Sequence, residues 1–385
     1  MRFPNLFGVL IALGCGFVCS RQAFSAPDFA PAVALVRAHV ESGNIPGAVL
    51  TIGHRREISV LQAFGSAGLR PALRPMTSAT IFDLASLTKP VATSTAAMIL
   101  IEEGRLDLDA PVARYLPAFR RYDKTAIAVR HLLTHTAGFK AGGAYWGKVR
   151  ALSQIVSEIA ALPLLTAPGS KFLYSDFSFI TLGAVVEAAS GQKLDAFCQN
   201  RIFGPLGMTS TFFRRDERDL PSAILENVAA TTAGDDTLAS RAHVHDPTSR
   251  ALGGVAGHAG LFSTADDLAR FCQMITNGGE LNGARILKPE TVKLWTAPQA
   301  PAIPGERTLG WDMASAYSIR RELSAQSFGH TGFTGTSIWI DPASQTFIVL
   351  LSNSVHAKPA GSVIALRRAV SSSVAASLAA DSKVN

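Results

Sequence analysis

The sequence predicts an α/β (α+β) protein: an antiparallel β-sheet flanked by N- and C-terminal helices, with an inserted, mostly helical domain. Three observations carry that expectation. Strand-like apolar runs gather at the two ends of the chain, at residues 47–53 and 58–63 and again at 336–340 and 346–351. Helical periodicity fills the middle, from residue 106 to about 214. The turn Asp341-Pro342-Ala343-Ser344 separates the last two runs as a hairpin turn does, so their pairing is antiparallel. Strands from both termini around a helical middle imply one sheet with an insertion.

Each element follows from its own signals. Residues 1–25 read as an export signal: Arg2 gives a positive start, 6–18 is an apolar run too short for a comfortable membrane span, and Ala23-Phe24-Ser25 offers small residues for cleavage. An uncleaved anchor, or lipid attachment at Cys15 or Cys19, is the alternative. After cleavage the chain is expected to be periplasmic or secreted, with no stable membrane span. Residues 26–385 then form one domain, with a sheet lobe at about 26–90 and 265–385 and a helical lobe at about 91–264. A helix at 30–40 precedes two strands around the polar turn His54-Arg55-Arg56-Glu57. A helix starting near Ser86 is capped at Gly104. Loops follow at 137–147 and 162–170, and 215–250 is polar and irregular. Helices return at 265–275 and 289–295, 298–306 is a Pro-rich loop, and 364–380 is an alanine-rich C-terminal helix.

Composition excludes several classes of function. The chain has 385 residues, 48% hydrophobic and 17% charged, which supports a folded core and argues against disorder. The formal charge is +7; cleavage of the signal removes Arg2 and Arg21 and leaves about +5. The charges are scattered, and no dense basic run carries interleaved aromatics, so a nucleic-acid partner is unsupported. Weak attraction to anionic cell-wall material fits the residual charge. Without a Walker loop or a Rossmann fingerprint no nucleotide is implied, and no other cofactor is expected. A Gly-x-Ser-x-Gly elbow is absent, which argues against an α/β-hydrolase. Cys198 and Cys272 remain after cleavage; a disulfide is permitted outside the cytoplasm, and buried free thiols are the plainer reading.

The chemistry is concentrated at Ser86-Leu87-Thr88-Lys89. Residues i and i+3 share a helical face, so an amine lies beside a hydroxyl that needs a base to attack a carbonyl. Pro90 fits only a first helical turn, which places the helix start near Ser86. A second copy, Ser190-Gly191-Gln192-Lys193, straddles a helix-ending glycine and is read as accidental. Tyr174-Ser175-Asp176 precedes a helix at 177–189. A tyrosine beside an ammonium has its phenolate favoured and can take the serine proton; otherwise it packs a helix entry. His330-Thr331-Gly332 precedes the 336–340 strand, where a glycine admits a substrate backbone and the Phe333 N–H can serve an oxyanion. The alternative is an ordinary loop into a strand.

In this order, Ser86-x-x-Lys89, Tyr174-x-Asp176 and His330-Thr331-Gly332 resemble the three motifs of the serine β-lactamase and penicillin-binding-protein superfamily. The likeness is to class C β-lactamases, D-alanyl-D-alanine carboxypeptidases, D-aminopeptidases and family VIII esterases. Residues 131–138, 205–208 and 253–267 also look like this family. The resemblance implies a β-lactamase/transpeptidase-like fold. It implies that Ser86 becomes acylated, that Lys89 aids its deprotonation and that Tyr174 shuttles the proton. It also implies an oxyanion hole from the N–H groups of Ser86 and Phe333. Asp176, His330, Thr331 and Gly332 are the expected substrate-binding residues, and whether Lys89 or Tyr174 is the base stays open.

Two departures stand out. The third motif has His330 where the β-lactamases usually have lysine, so a fixed cation is lost. The second ends in Asp176 where asparagine is usual, and an ionised aspartate only accepts hydrogen bonds. Both weaken the case for efficient β-lactam hydrolysis. A pairing of Asp176 with His330 would restore a cation there.

Other motifs are secondary. His243-Val244-His245-Asp246 invites a metal reading, but no third ligand has zinc-like spacing, so no metal is expected and His245 or His258 lines the cleft instead. His135 reads as structural, and Tyr145 with Trp146 as a substrate wall or a cover over the core. The expected function is an exported serine hydrolase forming an acyl-enzyme on Ser86 with a small ester or amide, such as a cell-wall peptide. A class C-like β-lactamase and a slowly acylating or non-catalytic penicillin-binding sensor module are the alternatives.

Overall fold

The computed structural model describes residues 1, 27–120, 122–143, 150–215, 220–232, 234, 237, 241–299, 307–356 and 363–384. The expected export segment from residue 2 onward, with Cys15 and Cys19, and Tyr145 and Trp146 lie outside them. From the N-terminus, α1 (Ala30–Glu41), β1 (Gly47–His54), β2 (Glu57–Gly68), β3 (Arg74–Pro75) and β4 (Phe82–Asp83) lead into a 3₁₀ turn at Ala85–Leu87. A π-helical stretch at Lys89–Ser94 and α2 (Thr95–Glu102) continue it. The middle contains α3 (Val129–Leu133), α4 (Leu152–Ala161), α5 (Asp176–Ser190), α6 (Leu194–Cys198), β5 (Phe212–Phe213), α7 (Ser222–Asn227), α8 (Pro247–Ala251) and β6 (Leu261–Ser263). The chain closes with α9 (Ala265–Thr276), β7 (Glu280–Leu281), β8 (Ala284–Arg285), α10 (Pro289–Thr296), β9 (Phe328–Thr331), β10 (Ser337–Asp341), β11 (Thr346–Ser352) and α11 (Val363–Val384).

The main sheet has six strands in the order β3-β2-β1-β11-β10-β9, all neighbours antiparallel, so strands from both ends of the chain meet at β1 and β11. Side chains of a strand alternate between faces, and β11 is buried on both. Phe347, Val349 and Leu351 enter a core shared with α2, α5 and α9, while Ile348 and Leu350 enter a second core shared with α1 and α11. Each such aliphatic side chain removed from water contributes about 2 kcal/mol. The N- and C-terminal helices therefore cover one face of the sheet and the helical middle covers the other.

Two local expectations need correction. His330 and Thr331 do not lie in a loop ahead of the edge strand; they are on it, since β9 is itself the edge strand paired to β10 through Ile338↔His330 and Ser337↔Thr331. The short apolar Phe328-Gly329 start gave too little alternation to mark a strand. The polar 215–250 stretch also contains α7 and α8, the latter opened by Asp246, whose carboxylate accepts from the Ser249 N–H. Gly104 does follow α2 in the left-handed region, with φ 69°.

Candidate active site

Ser86 sits on a sharp turn between β4 and the helix. Ala85 before it is held at φ 47°, a left-handed conformation that costs a non-glycine residue about 1 kcal/mol. Asp83 holds that turn: its Oδ1 accepts from the Ala85 N–H at 2.8 Å and its Oδ2 from the His245 N–H at 2.7 Å. Burial raises the Asp83 carboxyl to about 6, against the pull of those two N–H donors. Thr88 closes the turn by donating to the Ala85 carbonyl at 2.7 Å.

Lys89 is fully buried, and three acceptors surround its amine: Ser86 Oγ at 2.9 Å, Asp176 Oδ1 at 2.8 Å and the His258 carbonyl at 3.1 Å. An ammonium has three donors and no lone pair, so this geometry fits the cation. Burial opposes the charge, but Asp176 and Tyr174 outweigh it and hold the Lys89 pKa above its ordinary value. Lys89 is thus built as a cation beside Ser86.

Tyr174 lies just before α5, and His135 brackets it. The His135 carbonyl accepts from the Leu173 N–H at 2.9 Å, and its Nδ1 accepts from the Ser175 N–H at 3.1 Å. The two rings lie 4.5 Å apart. Burial, with Arg307 and Lys89 nearby, drives the His135 pKa well down, so the ring is neutral and its Nδ1 can accept. Ser175 Oγ and the Asp176 N–H anchor the same loop to the Lys140 and Ala141 carbonyls at 2.6 and 2.7 Å. The Lys89 amine is 5.1 Å from the Tyr174 ring centre.

The third motif faces these groups from β9. The turn after it is stitched to the chain just before Ser86: Thr334 Oγ1 donates to the Asp83 carbonyl at 2.7 Å and Thr336 Oγ1 to the Leu84 carbonyl at 3.0 Å. Gly332 is required by close approach, because a Cβ there would lie 2.1 Å from Thr336 Oγ1 and 2.4 Å from the Leu84 carbonyl. Phe333 exposes its ring, which stacks against His245 at 5.2 Å.

Asp176 and His330 do not pair. Asp176 is committed to Lys89, because a buried ammonium is the stronger claim on a carboxylate. His330 Nδ1 donates to the Thr331 carbonyl at 2.8 Å, and its buried Nε2 has no partner among the described residues. Burial, then Arg307 and Lys89, push the His330 pKa well below its ordinary value, so His330 is neutral and no cation is restored.

Ser86, Tyr174, His330, Thr331, Gly332 and Phe333 line one cavity of about 390 Å³; Lys89 is buried next to Ser86, and the Asp176 side chain that holds it is 34% exposed. Arg307, Tyr317 and Arg367 also line it, and the sequence reading missed all three. Arg367 had a visible signal: it sits on the apolar stripe of α11 between buried Leu366 and Val370. Asp83 was missed too, hidden as the polar member of a strand-like run. Of the histidine cluster, Asp246 pairs with His258 at 2.8 Å, and these two with Asp176 bring ligand atoms within 4.8 Å of one another. His245 is turned to Phe333 instead. Burial opposes the Asp246 charge, but His258 outweighs it and the carboxyl lies well below its usual range. Cys198 and Cys272 are both buried and free, with thiols pushed up by burial.

Comparison with known proteins bears on the family and the fold. A family model described as Beta-lactamase matches residues 32–371. An Escherichia coli K12 protein, provisionally named a D-alanyl-D-alanine carboxypeptidase, is 35% identical over 73% of this chain and 70% of its own length. A Bacillus subtilis protein named N-acetylmuramyl-L-alanine amidase is 31% identical over 82% of this chain and 78% of its own. The solved structure of a class C beta-lactamase shares the fold, with a TM-score of 0.71 and 20% identity, covering 89% of this chain and 95% of that one.

Proposed function

The chain belongs to the Beta-lactamase family, and from that premise we propose that it is a serine hydrolase acting through an acyl-enzyme on Ser86. One observation carries the reading: a buried ammonium, held by Asp176 at 2.8 Å, lies 2.9 Å from a cavity-facing Ser86 hydroxyl beside Tyr174. Ser86 Oγ attacks the substrate carbonyl while its proton passes to Tyr174. The Ser86 and Phe333 N–H groups hold the oxyanion. Collapse breaks the bond to the leaving group, which takes the proton back from Tyr174. Water then attacks the Ser86 ester carbonyl as its proton passes to Tyr174; collapse breaks the acyl–Oγ bond, and the departing Ser86 oxygen takes that proton back, which releases the acid and restores the enzyme.

The substrate is a small amide or ester, and the two relatives' names support a cell-wall peptide. A neutral His330 with a bare Nε2 favours an uncharged or hydrogen-bond-donating group beside it. A β-lactamase role is less favoured, because the second motif presents a carboxylate where a substrate amide carbonyl seeks a donor. Export is part of the proposal, resting on the composition of residues 1–25. The test incubates purified mature protein with a chromogenic ester, a cephalosporin and a D-Ala-D-Ala peptide, then weighs it intact. Turnover of peptide or ester that vanishes in Ser86→Ala supports the reading; equal turnover by that variant overturns it. A lasting adduct without turnover identifies a sensor instead.

A further inference from the structure

Arg367 projects from α11 and is 6% exposed. Its Nη2 donates to the Gly332 carbonyl and to the Thr336 carbonyl, each at 2.8 Å. Those carbonyls flank the turn that the Gly332 N–H closes onto the Thr336 carbonyl at 2.7 Å. The Gly332 carbonyl and the Phe333 N–H belong to one peptide unit. A trans peptide points the two groups in opposite directions, so a donor fixed on the carbonyl fixes the aim of the N–H.

We infer that Arg367 is a positioning residue for the oxyanion hole: its guanidinium orients and polarises the Gly332–Phe333 peptide so that the Phe333 N–H faces the developing oxyanion. This rests on the serine hydrolase reading for the role of that N–H. Charge-assisted hydrogen bonds are about twice as strong as neutral ones, and bonds in a chain reinforce one another. Electron density drawn to the carbonyl oxygen leaves the N–H a better donor. Burial lowers the Arg367 pKa to about 10, so it stays a cation at neutral pH. Among the described residues no carboxylate pairs with it. A buried cation held only by carbonyls is costly to stability, and the peptide it grips is the one beside Ser86. The C-terminal helix thereby becomes part of the site, although it lies across the sheet from the nucleophile's helix.

The test compares Arg367→Met and Arg367→Lys with Arg368→Met, a control at the half-buried neighbour that donates to the Ala316 carbonyl instead, using 4-nitrophenyl butyrate as substrate and phenylboronic acid as a tetrahedral adduct former. Losing an oxyanion donor costs 10²–10³ in kcat; weakening one is expected to cost about 30-fold in Arg367→Met. KM stays within about twofold, boronate affinity falls in parallel with kcat, Arg367→Lys lies between, and added ethylguanidine partly restores the Met variant. The Phe333 amide proton moves upfield in both variants. A loss confined to KM makes Arg367 a substrate contact and overturns the inference, as does an unmoved amide proton. Should the Met variant not fold, the Lys variant decides by the same readouts. If wild type neither cleaves the ester nor takes boronate on Ser86, the hydrolase reading fails, and the amide shift still tests the grip on the peptide.

Discussion

Asp176→Asn tests whether Lys89 works as a cation. The carboxylate lies 2.8 Å from the Lys89 amine. At an effective dielectric of about 20, unit charges at that distance attract by about 6 kcal/mol. The Asp176 side chain is 34% exposed, so water screens the pair and about 2 kcal/mol is a sounder figure. Asparagine keeps an acceptor oxygen and loses the charge. If the ammonium is the working form, the alkaline limb of kcat/KM moves down by about 1 to 2 pH units, because 1.36 kcal/mol corresponds to one unit. The rate at pH 7 changes little, since the amine remains protonated there. Stability falls by about 1–3 kcal/mol, because a buried cation loses its counter-charge. The assay is ester hydrolysis from pH 5 to 10 on samples shown folded at each pH. A rise in rate at pH 7, with the acid limb moving down, would mean that neutral lysine is the base and would refute the reasoning.

Three further predictions follow from the supports of the site. His135→Leu keeps the bulk beside Tyr174 and removes the acceptor for the Ser175 N–H; kcat is expected to fall about 10-fold at unchanged KM, with about 1–3 kcal/mol lost in urea unfolding. An unchanged kcat would make His135 purely structural. Gly332→Ala drives a Cβ into the Leu84 carbonyl and is expected to cost about 100-fold in kcat and about 1–3 kcal/mol in stability, measured by kinetics and urea titration. Asp83 titrates at about 6 in the fold and about 3.9 unfolded, so the folded state binds the extra proton between those values. Its burial cost of about 3 kcal/mol is therefore present above pH 6 and relieved as pH falls toward 4. The difference in urea stability between wild type and Asp83→Asn should show that slope, and a flat difference would show that Asp83 is not strained by burial.

The sheet was legible because its strands announce themselves locally. β1 and β11 are continuous β-branched and aliphatic runs, and Asp341-Pro342 breaks the chain between β10 and β11. β9 was not legible: Phe328-Gly329-His330-Thr331 has no periodicity, and it is a strand only because β10 lies beside it. The same holds for α8, whose five residues are fixed by the Asp246 cap rather than by an apolar stripe.

The site divides along the same line. Ser86 and Lys89 meet through helical spacing, a local property that three residues of sequence carry. The charge on that lysine is not local: it depends on Asp176 and on the His258 carbonyl, brought together only by folding. His330 shows the converse. Its residue type permits either charge state, and burial near Arg307 and Lys89 selects the neutral one. The two departures from the family pattern are therefore coupled through Lys89. A carboxylate at Asp176 stabilises the ammonium, and that ammonium helps to keep His330 uncharged. Replacing either residue alone with its family counterpart would change the field felt by the other. Asp176→Asn with His330→Lys should thus be non-additive in kcat/KM for carboxylate-bearing substrates. Additive effects in that double-mutant cycle would show that the two motifs act independently.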